Sequence, residues 1–233
     1  MTKLDLDPDI GKSLASPNFK ALSDYVDMFN KKNPERKTSL IDTLKLRYNK
    51  DFLPLNLQTA KDSSDEVTKA MATKLQIELL EQWRSNKKTA VDVFKILEFN
   101  FEGGRFRFDK TRFTILDDYI KLLNAKNSHE NTQMLSVLKT GFGGEDKLAL
   151  ILSSKMESIY DEMYATAFNY RNFLFQEWVN RDLDPMSVLI KVFLVEEVKL
   201  TDAPAKAKAV IADYKPFYIK ANSLDPDWLP KNV

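Results

Sequence analysis

The 233-residue sequence carries 35 lysines and arginines against 34 aspartates and glutamates, a formal net charge of +1. That balance lacks the basic excess with which nucleic-acid binders meet phosphate, so nucleic acid is not an expected partner. Cysteine is absent, which excludes disulfide staples and thiolate metal sites, and no run of about 18 apolar residues offers a membrane-spanning helix.

In chain order the predicted elements are helices throughout, as six glycines in the whole chain would suggest. Ser16-Pro17 reads as an N-cap followed by proline at the first helical position, opening a helix over 17–31. Helices over 38–49 and 52–61 follow, then a long one over 65–86 whose apolar stripe is Ala72, Leu75, Leu79, Leu80 and Trp83. Thr89 caps a helix over 90–99, Gly103-Gly104 marks a loop, and helices over 110–126 and 131–140 follow. Gly141 with Gly143-Gly144 stops the latter. Beyond it come 145–157, then 160–181 with a stripe ending at Trp178, then 185–196 opened by Asp184-Pro185, and finally 204–221.

These elements repeat. Ala72, Leu75, Leu79, Leu80 and Trp83 correspond to Ala167, Tyr170, Leu174, Phe175 and Trp178, about 95 residues later. Phe19, Asp24, Tyr25 and Asn30 correspond in the same way to Phe113, Asp118, Tyr119 and Asn124, and Asp213 and Tyr214 begin a third copy. A unit of this kind buries its apolar face only against neighbours, so stacking is expected. The Trp preceding Tyr25 would fall before residue 1, so the chain is expected to be cut from a longer protein.

Trp83 followed by Tyr119, and Trp178 followed by Tyr214, resemble the WY module of oomycete RxLR effectors. The wording Thr89-Ala-Val-Asp-Val-Phe-Lys-Ile-Leu97, the stretch from Tyr119 to Asn127, and the leucine-rich segments Leu53–Leu80 and Leu148–Leu174 resemble the tandem LWY type of that family. The resemblance implies an all-α fold: tandem helical-bundle LWY repeats stacked into an elongated, solenoid-like array. The expected division is 1–50 as the C-terminal part of one WY module, 51–144 and 145–223 as two LWY units, and 224–233 as a tail.

The resemblance also implies function. Such proteins are secreted by a pathogen, translocated into the host cell cytoplasm or nucleus, and disturb immunity without being enzymes. The expected partner is a host plant protein, with the scaffold subunit of protein phosphatase 2A as its sharpest version. The alternative is suppression of host RNA silencing by binding RNA or an RNA-processing protein. A monomer with no cofactor, metal or membrane partner is expected.

The aromatic anchors Tyr25, Trp83, Tyr119, Trp178 and Tyr214 are assigned to the core, since buried aromatics dominate bundle energetics. The candidate partner-binding residues are Arg105, Arg107, Lys110 and Arg112, which alternate with phenylalanines. Such a stretch can stack and neutralise single-stranded RNA, contact a protein through arginine, or tuck its phenylalanines into the core. His129, the one histidine, has no cysteine or second histidine to join it as a metal ligand and reads as a loop residue. Gly141-Phe-Gly-Gly144 lacks the Gly-Lys-Ser/Thr ending of a phosphate loop. No catalytic constellation is visible.

Overall fold

The computed structural model describes residues 5–49, 51–101, 105–126 and 131–223. His129, Gly103-Gly104 and Trp228 lie outside the described residues. Among the described residues the regular structure is helical but for one short pair of antiparallel strands, and the chain divides into two compact units. Unit 1 comprises Met1–Glu98 with Thr111–Thr132, and unit 2 comprises Phe99–Lys110 with Gln133–Val233.

Unit 1 contains α1 (Ile10–Leu14), α2 (Pro17–Lys32), α3 (Leu40–Arg47), α4 (Leu53–Ala60), α5 (Glu66–Ser85), α6 (Ala90–Ile96) and most of α7 (Lys110–Lys126). Its local chemistry is that of well-capped helices. Ser16 accepts a hydrogen bond from Phe19 N, with Pro17 at the first helical position. Thr89 and Asp92 form a reciprocal capping box at the start of α6. α5 lies against α4, α3 and α1, and Ala72, Leu75 and Leu79 of α5 are buried, as are Leu53 and Leu57 of α4, Ile10 of α1 and Leu44 of α3.

Unit 2 contains the hairpin β1 (Asn100–Phe101) and β2 (Arg105–Phe106), then α8 (Met134–Phe142), α9 (Glu145–Lys155), α10 (Tyr164–Asn180), α11 (Pro185–Lys191) and α12 (Ala205–Asn222). The strands pair antiparallel, Asn100 opposite Phe106 and Phe101 opposite Arg105. α8 stops at Gly143, whose φ of 83° is left-handed. Gly144 N–H donates to the Lys139 carbonyl at 2.9 Å, closing the turn as the glycine pair predicts. α10 buries Ala167, Leu174 and Phe175 against α9 and α12.

Three elements depart from the sequence expectation. α1 is a helix of five residues, capped by Asp9 and buried through Ile10 and Leu14, too short to register as a periodic stripe. α6 ends at Ile96 because Glu98 adopts a left-handed φ of 52°, leaving Asn100 and Phe101 to form β1. α11 ends at Lys191, not 196, and a short 3-10 turn over Glu197–Asp202 precedes α12.

Several contacts recur along the chain with the sequence period. Asn30 Nδ2 donates to the Thr38 carbonyl while Thr38 N–H donates to Asn30 Oδ1, both at 2.8 Å. Asn124 and Thr132 make the same pair of bonds, at 3.0 and 2.8 Å. Lys45 donates to Gln82 between α3 and α5, and Lys139 pairs with Glu177 between α8 and α10.

Candidate functional site

Each unit is organised around one tryptophan and one tyrosine. In unit 1 the rings of Trp83 (α5) and Tyr119 (α7) meet edge to face, with centroids 5.9 Å apart at 83°. In unit 2 Trp178 (α10) and Tyr214 (α12) do the same, at 5.3 Å and 88°. Such edge-to-face pairs add about 0.5–1.5 kcal/mol to the burial of the rings.

Both tryptophans then close the C-terminus of their helix in the same way. Lys87 and Asp182 take left-handed φ values of 56° and 54°. The next N–H, of Lys88 or Leu183, donates back to the Trp83 or Trp178 carbonyl at 3.0 Å. This turn presents the carbonyl of Lys88 or Leu183 to the tyrosine. Tyr119 Oη donates to Lys88 O at 2.5 Å, and Tyr214 Oη to Leu183 O at 2.6 Å. Ring contact and backbone turn are thus coupled by one hydroxyl.

Unit 2 adds two features. Phe175 lies 5.3 Å from Trp178 and 5.1 Å from Tyr214, building an aromatic cluster. Trp178 Nε1 donates to Glu145 Oε2 at 2.6 Å, and Arg181 Nη1 holds both oxygens of that carboxylate at 2.7 and 2.8 Å. A buried indole N–H is thereby satisfied at the start of α9, a tie that the repeat pattern did not reveal.

Trp83, Tyr119, Trp178 and Tyr214 are buried, but Tyr25 is 51% exposed and its ring neighbour is Phe29 on the same helix. Tyr25 is therefore a surface residue of unit 1, although its sequence register matches Tyr119 and Tyr214. What separates them is a tryptophan, since none among the described residues packs on Tyr25. Phe94 and Leu97, which fit an autophagy-receptor spacing, are each only 1% exposed and belong to the core.

Burial sets the ionisation of the two core tyrosines. Desolvation pushes the phenols of both Tyr119 and Tyr214 above the ordinary value of 10.0, more strongly in Tyr214. A raised folded-state value means that stability is fully present below pH 10 and is lost as pH rises through the folded values. Urea titrations between pH 8 and about 11 should therefore show a steep alkaline loss. Tyr214→Phe should flatten it, and an unchanged slope in that variant would refute the assignment.

The arginine stretch is split by the fold. Arg105 lies on β2, paired through its backbone with Phe101. Arg107 N–H donates to the Phe99 carbonyl at 2.8 Å, and its side chain is half-buried. Lys110 opens α7 with an exposed side chain, its N–H donating to Glu162 Oε1 at 3.3 Å. Arg112 points inward: its Nε donates to the Leu97 carbonyl at 2.8 Å, at the C-terminus of α6. Helix C-terminal carbonyls lack intrahelical donors and attract cations, so this arginine is held by the scaffold. The phenylalanines divide too. Phe108 is 1% exposed against Phe142, while Phe106 is 43% exposed.

No family model matches the chain. It is 29% identical over 224 residues to an RxLR effector protein of Phytophthora infestans (strain T30-4), covering 94% of this chain and 31% of that protein. With a second RxLR effector protein of the same organism it shares 31% identity over 212 residues, 88% of this chain and 40% of the relative. The chain is a homologue of the oomycete RxLR effectors. A crystal structure of PcRxLR12 shares the fold at a TM-score of 0.68 and 20% identity, over 91% of this chain and 49% of that one. The chain thus spans less than half the length of these RxLR effector relatives.

Proposed function

We propose that the chain is part of a pathogen effector that enters the plant host cell and acts as a non-enzymatic adaptor, binding a host protein to suppress immunity. The observation that carries this reading is the homology to RxLR effectors. The fold agrees with an adaptor role. Its most distinctive side chains, Trp83, Tyr119, Trp178 and Tyr214, are spent in the core, which leaves partner recognition to the outer faces.

The sharpest version has the scaffold subunit of protein phosphatase 2A as the partner. Purified scaffold subunit and the intact chain, mixed at micromolar concentration, should co-elute and give a measurable Kd. Absence of binding would remove that partner and leave another host protein as the target.

A second reading, suppression of RNA silencing through direct RNA contact, draws on the hairpin. There, exposed Phe106 precedes Arg107, with Lys110 close in sequence. Aromatic stacking next to cations suits single-stranded RNA. A gel shift with single-stranded RNA should then show binding that weakens steeply between 50 and about 200 mM salt. Since Arg112 is engaged by the Leu97 carbonyl, fewer cations remain for phosphate than the sequence suggests, and the protein-adaptor reading is preferred.

A further inference from the structure

Among the positions at which the two units diverge, one changes charge inside the helix packing. In unit 1 it is Gln76 on α5, 2% exposed, whose Nε2 donates to Gln58 Oε1 on α4 at 2.9 Å. The corresponding residues of unit 2 are Arg171 on α10 and Ser153 on α9. A neutral amide bridge has become a cation facing a small hydroxyl. Arg171 Nη1 donates to Asp213 Oδ2 on α12 at 2.7 Å, and the guanidinium carbon lies 5.4 Å and 5.3 Å from the Phe168 and Phe175 ring centroids. Its Nε is shielded from solvent with no hydrogen-bond partner. Gln76 Oε1 of unit 1 is likewise buried without a partner, so the two copies differ in charge: unit 2 places a partly buried cation where unit 1 has a neutral amide, and burying a charge costs more than burying an amide.

Beside it a cleft of about 520 Å³ opens between α9, α10 and α12. Its apolar wall includes Phe106, Ile151 and Met156, and Ser153 and Lys206 also line it. Phe106 is an exposed aromatic, and Lys206 has an exposed side chain with no ion pair among the described residues. The volume falls within the range of about 300–1,000 Å³ typical of ligand sites.

We propose that this cleft captures a short segment of a protein partner in which one aspartate or glutamate stands next to an aliphatic residue. The acid is read by Lys206 and the outer edge of Arg171, and the aliphatic side chain packs on Phe106, Ile151 and Met156. Charge complementarity selects that occupant. Asp213 is already paired with Arg171, and Lys206 is the α12 lysine that lines the cleft, with no ion pair among the described residues, while Glu157 at the rim disfavours a second acid on the ligand. This inference rests on the adaptor reading and gives it a place on the molecule.

Peptide phage display against the intact chain provides the test, followed by fluorescence anisotropy on the selected peptides. Peptides carrying Asp or Glu within a few residues of Leu, Ile or Met should be enriched. Their affinity should fall at least about tenfold in Lys206→Glu, fall with added salt, and stay unchanged in Lys121→Glu on unit 1. Lys206 is exposed, so the variant should keep its melting temperature, which calorimetry checks. Enriched peptides without an acid, equal binding to Lys206→Glu, or no binder tighter than about 100 µM would each overturn the proposal. If Lys206→Glu still captures the host partner of the intact chain, the adaptor reading stands and this cleft is not its docking site.

Discussion

Trp178→Ala lowers the stability of the chain by about 3–5 kcal/mol, the usual cost of emptying a buried aromatic site. Trp178 is fully buried, meets Phe175 and Tyr214 at 5.3 Å each, and donates its indole N–H to Glu145. Truncation leaves a cavity beside the Phe175 and Tyr214 rings, which are held against Phe217 and Tyr218 and cannot simply move in to fill it. Glu145 itself keeps the two bonds from Arg181, so the loss is one of packing and not of a stranded charge. Equilibrium urea unfolding should report the deficit, and calorimetry a fall in Tm of roughly 10 °C. A loss under about 1 kcal/mol would mean that the aromatic cluster is not what holds unit 2 together.

Tyr214→Phe isolates the hydroxyl. The ring stays, but the buried Leu183 carbonyl loses the donor 2.6 Å away, and an unmade buried hydrogen bond costs about 1–3 kcal/mol. Tyr25→Phe, at the matching register of α2, should change stability by less than about 0.5 kcal/mol because that side chain is exposed. Chemical denaturation of the two variants side by side decides the matter. Equal effects would show that the hydroxyl-to-carbonyl tie contributes nothing beyond ring burial.

That contrast also marks what the sequence can reveal. Ser16, Thr89 and Asp184 were legible as caps because capping is local: a short polar side chain and a backbone N–H two or three residues on are enough. The Trp–Tyr pairs were legible because a long repeat constrains residue type at both ends of a contact. Tyr25 carries the same letter as Tyr119 and Tyr214 yet lies at the surface, since burial depends on a second element that the letter does not encode. Glu98, Lys87 and Asp182 end their segments in left-handed geometry without a glycine to announce it. By its neighbours in sequence Arg112 reads as part of a binding surface, whereas its partner, the Leu97 carbonyl, is fifteen residues away. The cleft beside Arg171 was detectable only in part. Lining up the two copies exposes a charge opposite Gln76, but that α9, α10 and α12 leave a space there follows from packing alone.

The tie between tyrosine hydroxyl and main-chain carbonyl has a consequence for how such a protein can change. The acceptor is a peptide oxygen, which every amino acid supplies. The residue that offers it is a lysine in one copy and a leucine in the other, and the residue before it is a lysine or an aspartate. The joint therefore reads the path of the chain and is indifferent to the side chains that ride on it. A lineage built on such joints can rewrite its turns, charge by charge, without renegotiating its architecture.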